Sequence, residues 1–192
     1  MLYATASQTV GPYLHIGLDW LNRDTLYDDA VPGERVTLEG CMVDGDGAPI
    51  TDGMIEIWQA DPQGVYPHPE GHAGKAPIPG FSGFGRMSTD AAGRYHFLTL
   101  KPGRVAAPGG GLQAPHIVMS VFARGVLKRM ATRVYFPDEH ANADDPVLQC
   151  VPAARRSTLV AMRDAQQPGV LQFNVVLQGT HLGQGETVFF DL

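Results

Sequence analysis

Cysteine is nearly missing from this chain: Cys41 and Cys150 are the only two in 192 residues. Stabilisation by a disulfide framework is thereby excluded. The N-terminus lacks a basic start followed by a continuous apolar segment, so no secretory signal is expected. Two reduced thiols and a cytoplasmic location are the matching expectations. Charge is also sparse, at 18% of residues, and its balance is a formal −6. Nothing basic is present in the quantity that nucleic acid or anionic lipid would require. No apolar run reaches the roughly 18–20 residues of a membrane span. Helical patterning is scarce, with Ser157–Ala165 the one short candidate, and no internal repeat divides the chain.

What the chain has in excess is Gly, 23 residues, and Pro, 15 residues, within a 44% hydrophobic composition. These residues break helices and punctuate strands, so the composition reads as a loop-rich, all-β domain. Residues 1–31 form a leading N-terminal arm of the same domain, and 32–192 its body. Arg35–Asp44 alternates as a strand does, and Asp44–Gly47 supplies a turn of the hairpin-closing type. Gly53–Ala60 places Ile55 and Ile57 on one face and Glu56 and Trp58 on the other. Pro62–Gly85 is a long loop, and Gly93–Leu100 a further strand. Pro115–Arg124 and Leu127–Phe136 read as a hairpin with Met130, Val134 and Phe136 toward a core. Arg129, Arg133 and Tyr135 then face away from it. Val170–Gly179 and Thr187–Leu192 complete the strands. The sum is a two-sheet β-sandwich.

The chemistry-bearing stretch is Trp58-x-Ala60-Asp61-x-x-Gly64-x-Tyr66. It is followed by Gly83-x-Gly85-Arg86, Thr89-Asp90, Lys101-Pro102-Gly103 and Pro115-His116-Ile117. In this order and approximate spacing, over residues 35–136, the chain resembles the intradiol ring-cleaving dioxygenases. Its strand–turn–strand pattern from Val43 to Phe97 is similar to transthyretin-like sandwiches in general. The resemblance implies a ferric site of two tyrosines and an H-x-H pair. Hard phenolates and imidazoles suit Fe(3+), and alternation along a strand aims both imidazoles at one face. Tyr66 and His116 stand at two ligand places. Val105 occupies the second tyrosine's place, and Val118 that of the second histidine.

Neither valine offers a lone pair, so the expectation is a vestigial iron site and no metal held by this chain. Loop residues His68 and His72 are the available substitutes. Among family members the chain resembles the iron-free partner in heteromeric enzymes. In these, a homologous beta chain carries the Fe(3+), and protocatechuate and O2 meet at a shared site within a higher-order alpha–beta assembly. On that resemblance Thr9, Gly11, Pro12 and Tyr13 of the arm Ser7–Tyr13 line the substrate pocket. Arg133 would meet a substrate carboxylate, a role suited to a guanidinium, and Arg129 on the same strand face competes for it. Two other readings stay open: a self-sufficient intradiol enzyme for another catechol, and a non-catalytic transthyretin-like binding module.

Overall fold

The computed structural model describes residues 6, 8–9, 11, 13–70 and 75–191. Two antiparallel-dominated sheets face each other across one main core. The first sheet contains β1 (Arg35–Val43), β4 (Arg94–Leu100), β7 (Met162–Arg163), β8 (Val170–Gln172) and β9 (Val175–Val176). Its order is β4-β1-β8-β7, with β9 also paired to β1. The second sheet runs β3-β2-β5-β6, from β2 (Met54–Trp58), β3 (Phe84–Ser88), β5 (His116–Phe122) and β6 (Met130–Tyr135). A small hairpin, β10 (Thr180–His181) and β11 (Gln184–Gly185), stands apart. Among the described residues helix is confined to α1 (Tyr13–Gly17), α2 (Pro146–Gln149) and three short 3-10 segments.

Alternation explains the core. Leu38 and Met42 from β1, Phe97 from β4, Ile55 and Ile57 from β2, and Ile117, Met119 and Val121 from β5 are all essentially inaccessible. They meet between the sheets because every second side chain of a strand projects to one face. Leu26 and Val31 join this core ahead of β1. Bridges Arg23 to Arg86, Thr25 to Leu98 and Tyr27 to Phe81 tie the same segment to both sheets.

β1 changes neighbours part-way along. Thr37–Glu39 pairs in parallel with β8, and Met42–Val43 with β9. Between them Gly40 lies under the Phe173 carbonyl, where an added Cβ would sit 1.9 Å from the oxygen. Only glycine allows that approach. The Asn174 side chain accepts the Cys41 N–H across the gap at 3.0 Å.

The Asp44–Gly47 turn does not close a hairpin between β1 and β2. It folds the chain back to a Val43–Pro49 bridge, and β2 then enters the other sheet. Ser157–Ala165 is not a helix: Ala153–Leu159 is 3-10, and β7 follows at once. The Ala161 N–H is captured by the Tyr135 carbonyl at 3.0 Å, so tertiary pairing overrides local preference. Thr187–Asp191 contributes only an isolated Phe190–Ala131 bridge. β3 (Phe84–Ser88) begins inside the expected Pro62–Gly85 loop and continues past it as a strand.

Candidate functional site

The face of the second sheet turned away from the main core carries the residues of interest. Register aligns Phe84, Trp58, Val118 and Arg133 in one row across β3, β2, β5 and β6. His116 and Tyr135 form the neighbouring pair. The face is not simply a solvated rim. Its Tyr135 end is buried in a second apolar cluster with Ala114, Leu148, Val151 and Leu159.

Tyr66 reaches this face from the loop after β2. Its ring stacks on Trp58 with centroids 5.7 Å apart and planes 15° from parallel. The loop is held by Asp61, a fully buried carboxylate that accepts from the N–H groups of Gln63, Val65 and Ile78 at 2.9, 2.9 and 3.0 Å. Gly64 has φ +77, and an added Cβ would lie 2.1 Å from the Arg104 carbonyl. Gly64→Ala is therefore expected to cost about 2–3 kcal/mol of stability, read by thermal unfolding. The same close approach brings the Arg104–Val105 segment against the Tyr66 loop.

His116 is 4% exposed, and its Nδ1 lies 2.8 Å from the Ala114 carbonyl. A carbonyl only accepts, so Nδ1 carries the proton and a neutral ring leaves Nε2 as an acceptor. Burial, then the nearby Arg133 cation, lower the His116 pKa to about 4. Burial raises the Tyr66 pKa, and Arg133 partly opposes the rise. Arg133 Nη1 donates to Gln113 Oε1 at 2.7 Å and points weakly to the Tyr135 hydroxyl at 3.5 Å. Gln113 is itself tied to Val105, donating its backbone N–H to the Val105 carbonyl at 2.8 Å.

Tyr66, Val105, His116, Val118 and Arg133 are thus brought to one region. His68 is not a substitute ligand in this arrangement: it is exposed, and its Nδ1 accepts the Glu70 N–H at 3.2 Å. His72 lies outside the described residues. Arg129 is exposed and lies just before β6 begins at Met130.

The arm goes elsewhere. Thr9 Oγ1 donates to the Ala123 carbonyl at 3.2 Å and accepts the Gly125 N–H at 3.1 Å. It therefore brackets Arg124 in the β5–β6 turn, roughly 17 Å along the strand from Val118. Gly11 is exposed and Tyr13 is 76% exposed, while Pro12 is outside the described residues. Within one chain, Thr9, Gly11 and Tyr13 do not share a pocket with Arg133.

A ferric ion does not fit the donor set. Tyr66 and His116 offer two ligand atoms, Val105 and Val118 offer none, and a guanidinium stands beside them. A cation next to the place would oppose a second, trivalent one. Among the described residues no group of three His, Cys, Asp or Glu side chains is placed to hold a metal.

Residue-level reading overlooked Asp145. This fully buried carboxylate accepts the Ala114 N–H at 2.8 Å and the Tyr135 hydroxyl at 2.9 Å. It also caps α2 through the N–H groups of Val147 and Leu148 at 3.0 and 2.8 Å. The signal available in sequence was Asp145-Pro146, a capping residue followed by a first-turn proline.

Comparison with known proteins agrees with this architecture. A family model described as dioxygenase matches residues 12–179. The chain belongs to the intradiol dioxygenase family. It is 45% identical to the protocatechuate 3,4-dioxygenase alpha chain of Burkholderia cepacia, over 100% of this chain and 98% of that one. The beta chain of the Burkholderia cepacia enzyme is 34% identical over 90% of this chain and 75% of its own length. Among solved structures, the dioxygenase domain of a dioxygenase–carbohydrate-binding fusion from Streptomyces sp. SirexAA-E superposes with a TM-score of 0.61. That match has 27% identity and covers 81% of this chain and 87% of that one. No helix among the described residues is long and apolar enough to cross a membrane.

Proposed function

We propose that this chain is the iron-free alpha subunit of a heteromeric protocatechuate 3,4-dioxygenase. A homologous beta chain would hold the Fe(3+), and the pair would open protocatechuate with O2 to 3-carboxy-cis,cis-muconate in the cytoplasm. The observation that carries this reading is a family framework whose metal place keeps Tyr66 and His116 but has Val105, Val118 and a neighbouring Arg133 around them. Full-length similarity to an alpha chain, and lesser similarity to a beta chain, support it.

The role left to the chain is to bind and orient. Tyr13, Ile16 and Trp20 are 76%, 73% and 77% exposed, an apolar group suited to burial against a partner. Thr9, Gly11, Pro12 and Tyr13 would reach the partner's pocket from this edge. The arginine that the arm adjoins is Arg124, whose side chain is 74% exposed and paired with Asp52. Arg133 is the guanidinium proposed for the substrate carboxylate, with Arg129 its competitor, while Arg124 stands at the arm's edge with Asp52 as its partner. Arg133→Ala is then expected to raise KM for protocatechuate about tenfold in the assembled enzyme, since a charged hydrogen-bonded contact is lost. Steady-state oxygen uptake checks this.

The decisive experiment purifies the chain alone and together with the beta chain, then measures iron content and protocatechuate-dependent oxygen uptake. Iron and turnover are expected only in the complex. Stoichiometric iron with turnover on the chain alone would establish a self-sufficient dioxygenase instead. Failure to associate with an intradiol chain would leave a non-catalytic module.

A further inference from the structure

The outer face of the first sheet lies on the opposite side of the sandwich from His116, Val118 and Arg133. A cavity of about 570 Å³ opens there. Strand alternation supplies its wall. Leu38 and Met42 of β1 enter the core, as do Tyr95 and Phe97 of β4, so Glu39, Cys41, Arg94 and His96 project outward. Gln172 at the end of β8 and Asn174 just before β9 complete the polar lining.

Register sorts these polar groups into two rows. In the first, Glu39 stands opposite Gln172. In the second, two residues along, Cys41 stands opposite Arg94 and donates its N–H to Asn174 Oδ1 at 3.0 Å. Each amide has one end committed. Gln172 Nε2 donates to Asp164 Oδ2 at 3.2 Å, which leaves Oε1 as an acceptor. Asn174 has given Oδ1 to Cys41, which leaves the Nδ2 donors. Among the described residues the Glu39 carboxylate and the Arg94 guanidinium make neither hydrogen bond nor ion pair. The other charged groups are occupied. His96 pairs with Asp24, and Asp90 Oδ1 accepts the N–H groups of Ala92 and Arg94 at 2.8 Å each. Uncommitted acceptors therefore fill the first row, and uncommitted donors the second.

Side chains two residues apart on a strand are separated by about 7 Å. A ligand with one charge would match one row and leave the other unanswered. Glu39 and Arg94 are diagonal neighbours, yet they do not answer each other. A primary ammonium brings three donors and a carboxylate two acceptor oxygens. An α-amino acid carries both on adjacent atoms, and with a hydrogen bond of about 2.8 Å at either end it spans the interval between the rows. Half-buried Met87 adds an apolar wall. We propose that this cavity binds a zwitterionic α-amino acid with an apolar side chain. Its ammonium group donates to Glu39 and Gln172, and its carboxylate accepts from Arg94 and Asn174. The site requires neither iron nor a beta chain, so it stands or falls separately from the proposed function.

The test titrates L-leucine into the purified full chain by calorimetry, beside its two single-charge analogues, 4-methylpentanoate and 3-methylbutylamine. Saturable binding of L-leucine is expected, with each analogue weaker by about tenfold or more. Glu39→Gln should weaken L-leucine to the level of 4-methylpentanoate, because the ammonium group loses its charged partner. Arg94→Gln should weaken it to the level of 3-methylbutylamine, because the carboxylate loses its own. Both side chains lie outside the core, and thermal unfolding establishes that each variant is folded. If either is not, the analogue series on the parent chain decides alone. Absence of saturable L-leucine binding overturns the proposal. So does an analogue that binds as tightly as L-leucine, or an unchanged L-leucine affinity in either folded variant.

Discussion

Asp145→Ala is expected to lower the unfolding free energy by about 3–5 kcal/mol, the sum of a lost helix cap and several stranded buried donors. One carboxylate serves the Ala114, Val147 and Leu148 N–H groups and the Tyr135 hydroxyl. Alanine removes the acceptor and keeps every donor, and Ala114, Tyr135 and Leu148 are too enclosed for water to replace it freely. Asp145→Asn keeps Oδ1, which takes three of the four bonds, so about half that loss is expected. For a chain of this size the alanine variant should melt roughly 10 °C lower. Urea unfolding of the parent and both variants checks the ranking. Equal stability of all three would show that the cluster around Tyr135 relaxes without its clamp.

Asp61→Ala is the second large effect, at about 3 kcal/mol, with a different signature. Its carboxylate joins the turn Gln63–Val65 to Ile78, which lies seventeen residues after Asp61 itself. Losing it frees both ends of the loop that presents Tyr66. The Asp61 N–H still donates to the Val65 carbonyl and the Gly64 N–H to the Asp61 carbonyl, so the turn itself persists. The expected outcome is local: amide exchange of Val65 and Ile78 accelerates more than that of Val121 or Phe97 in the core. A uniform acceleration across the sheets would contradict this.

Both residues show what could and could not be read in the chain. Asp61 was visible as a letter of the Trp58–Tyr66 motif, yet its acceptor work depends on Ile78, which no spacing rule connects to it. Asp145 meets Ala114 across thirty-one positions. Strand alternation, by contrast, is a local property, and it correctly separated Ile55 and Ile57 from Glu56 and Trp58. It also placed Val134 and Phe136 in the core. β3 escaped notice because Gly85 interrupts its pattern. The structure supplies the reason: an added Cβ would lie 2.8 Å from Leu26 and 2.9 Å from Phe97. That glycine is a packing requirement and not a loop signal. Tyr135 faces away from the main core, as alternation along β6 predicts, but the cover over that face comes from residues 141–190, which nothing in β6 announces.

The change of neighbours along β1 bears on how the chain is made. β1 and β4 pair over Arg35–Leu100 and can form early, as can the sheet β3-β2-β5-β6. The other edge of β1 waits for residues 170–176, which lie more than a hundred positions downstream. During synthesis that edge is a row of open backbone donors and acceptors, and such pairings of high sequence separation close slowly. A chain truncated before residue 170 would therefore present β1 and β4 beside the second sheet with one adhesive border. Residues 170–176, few as they are, govern whether a nascent molecule joins itself or its neighbour.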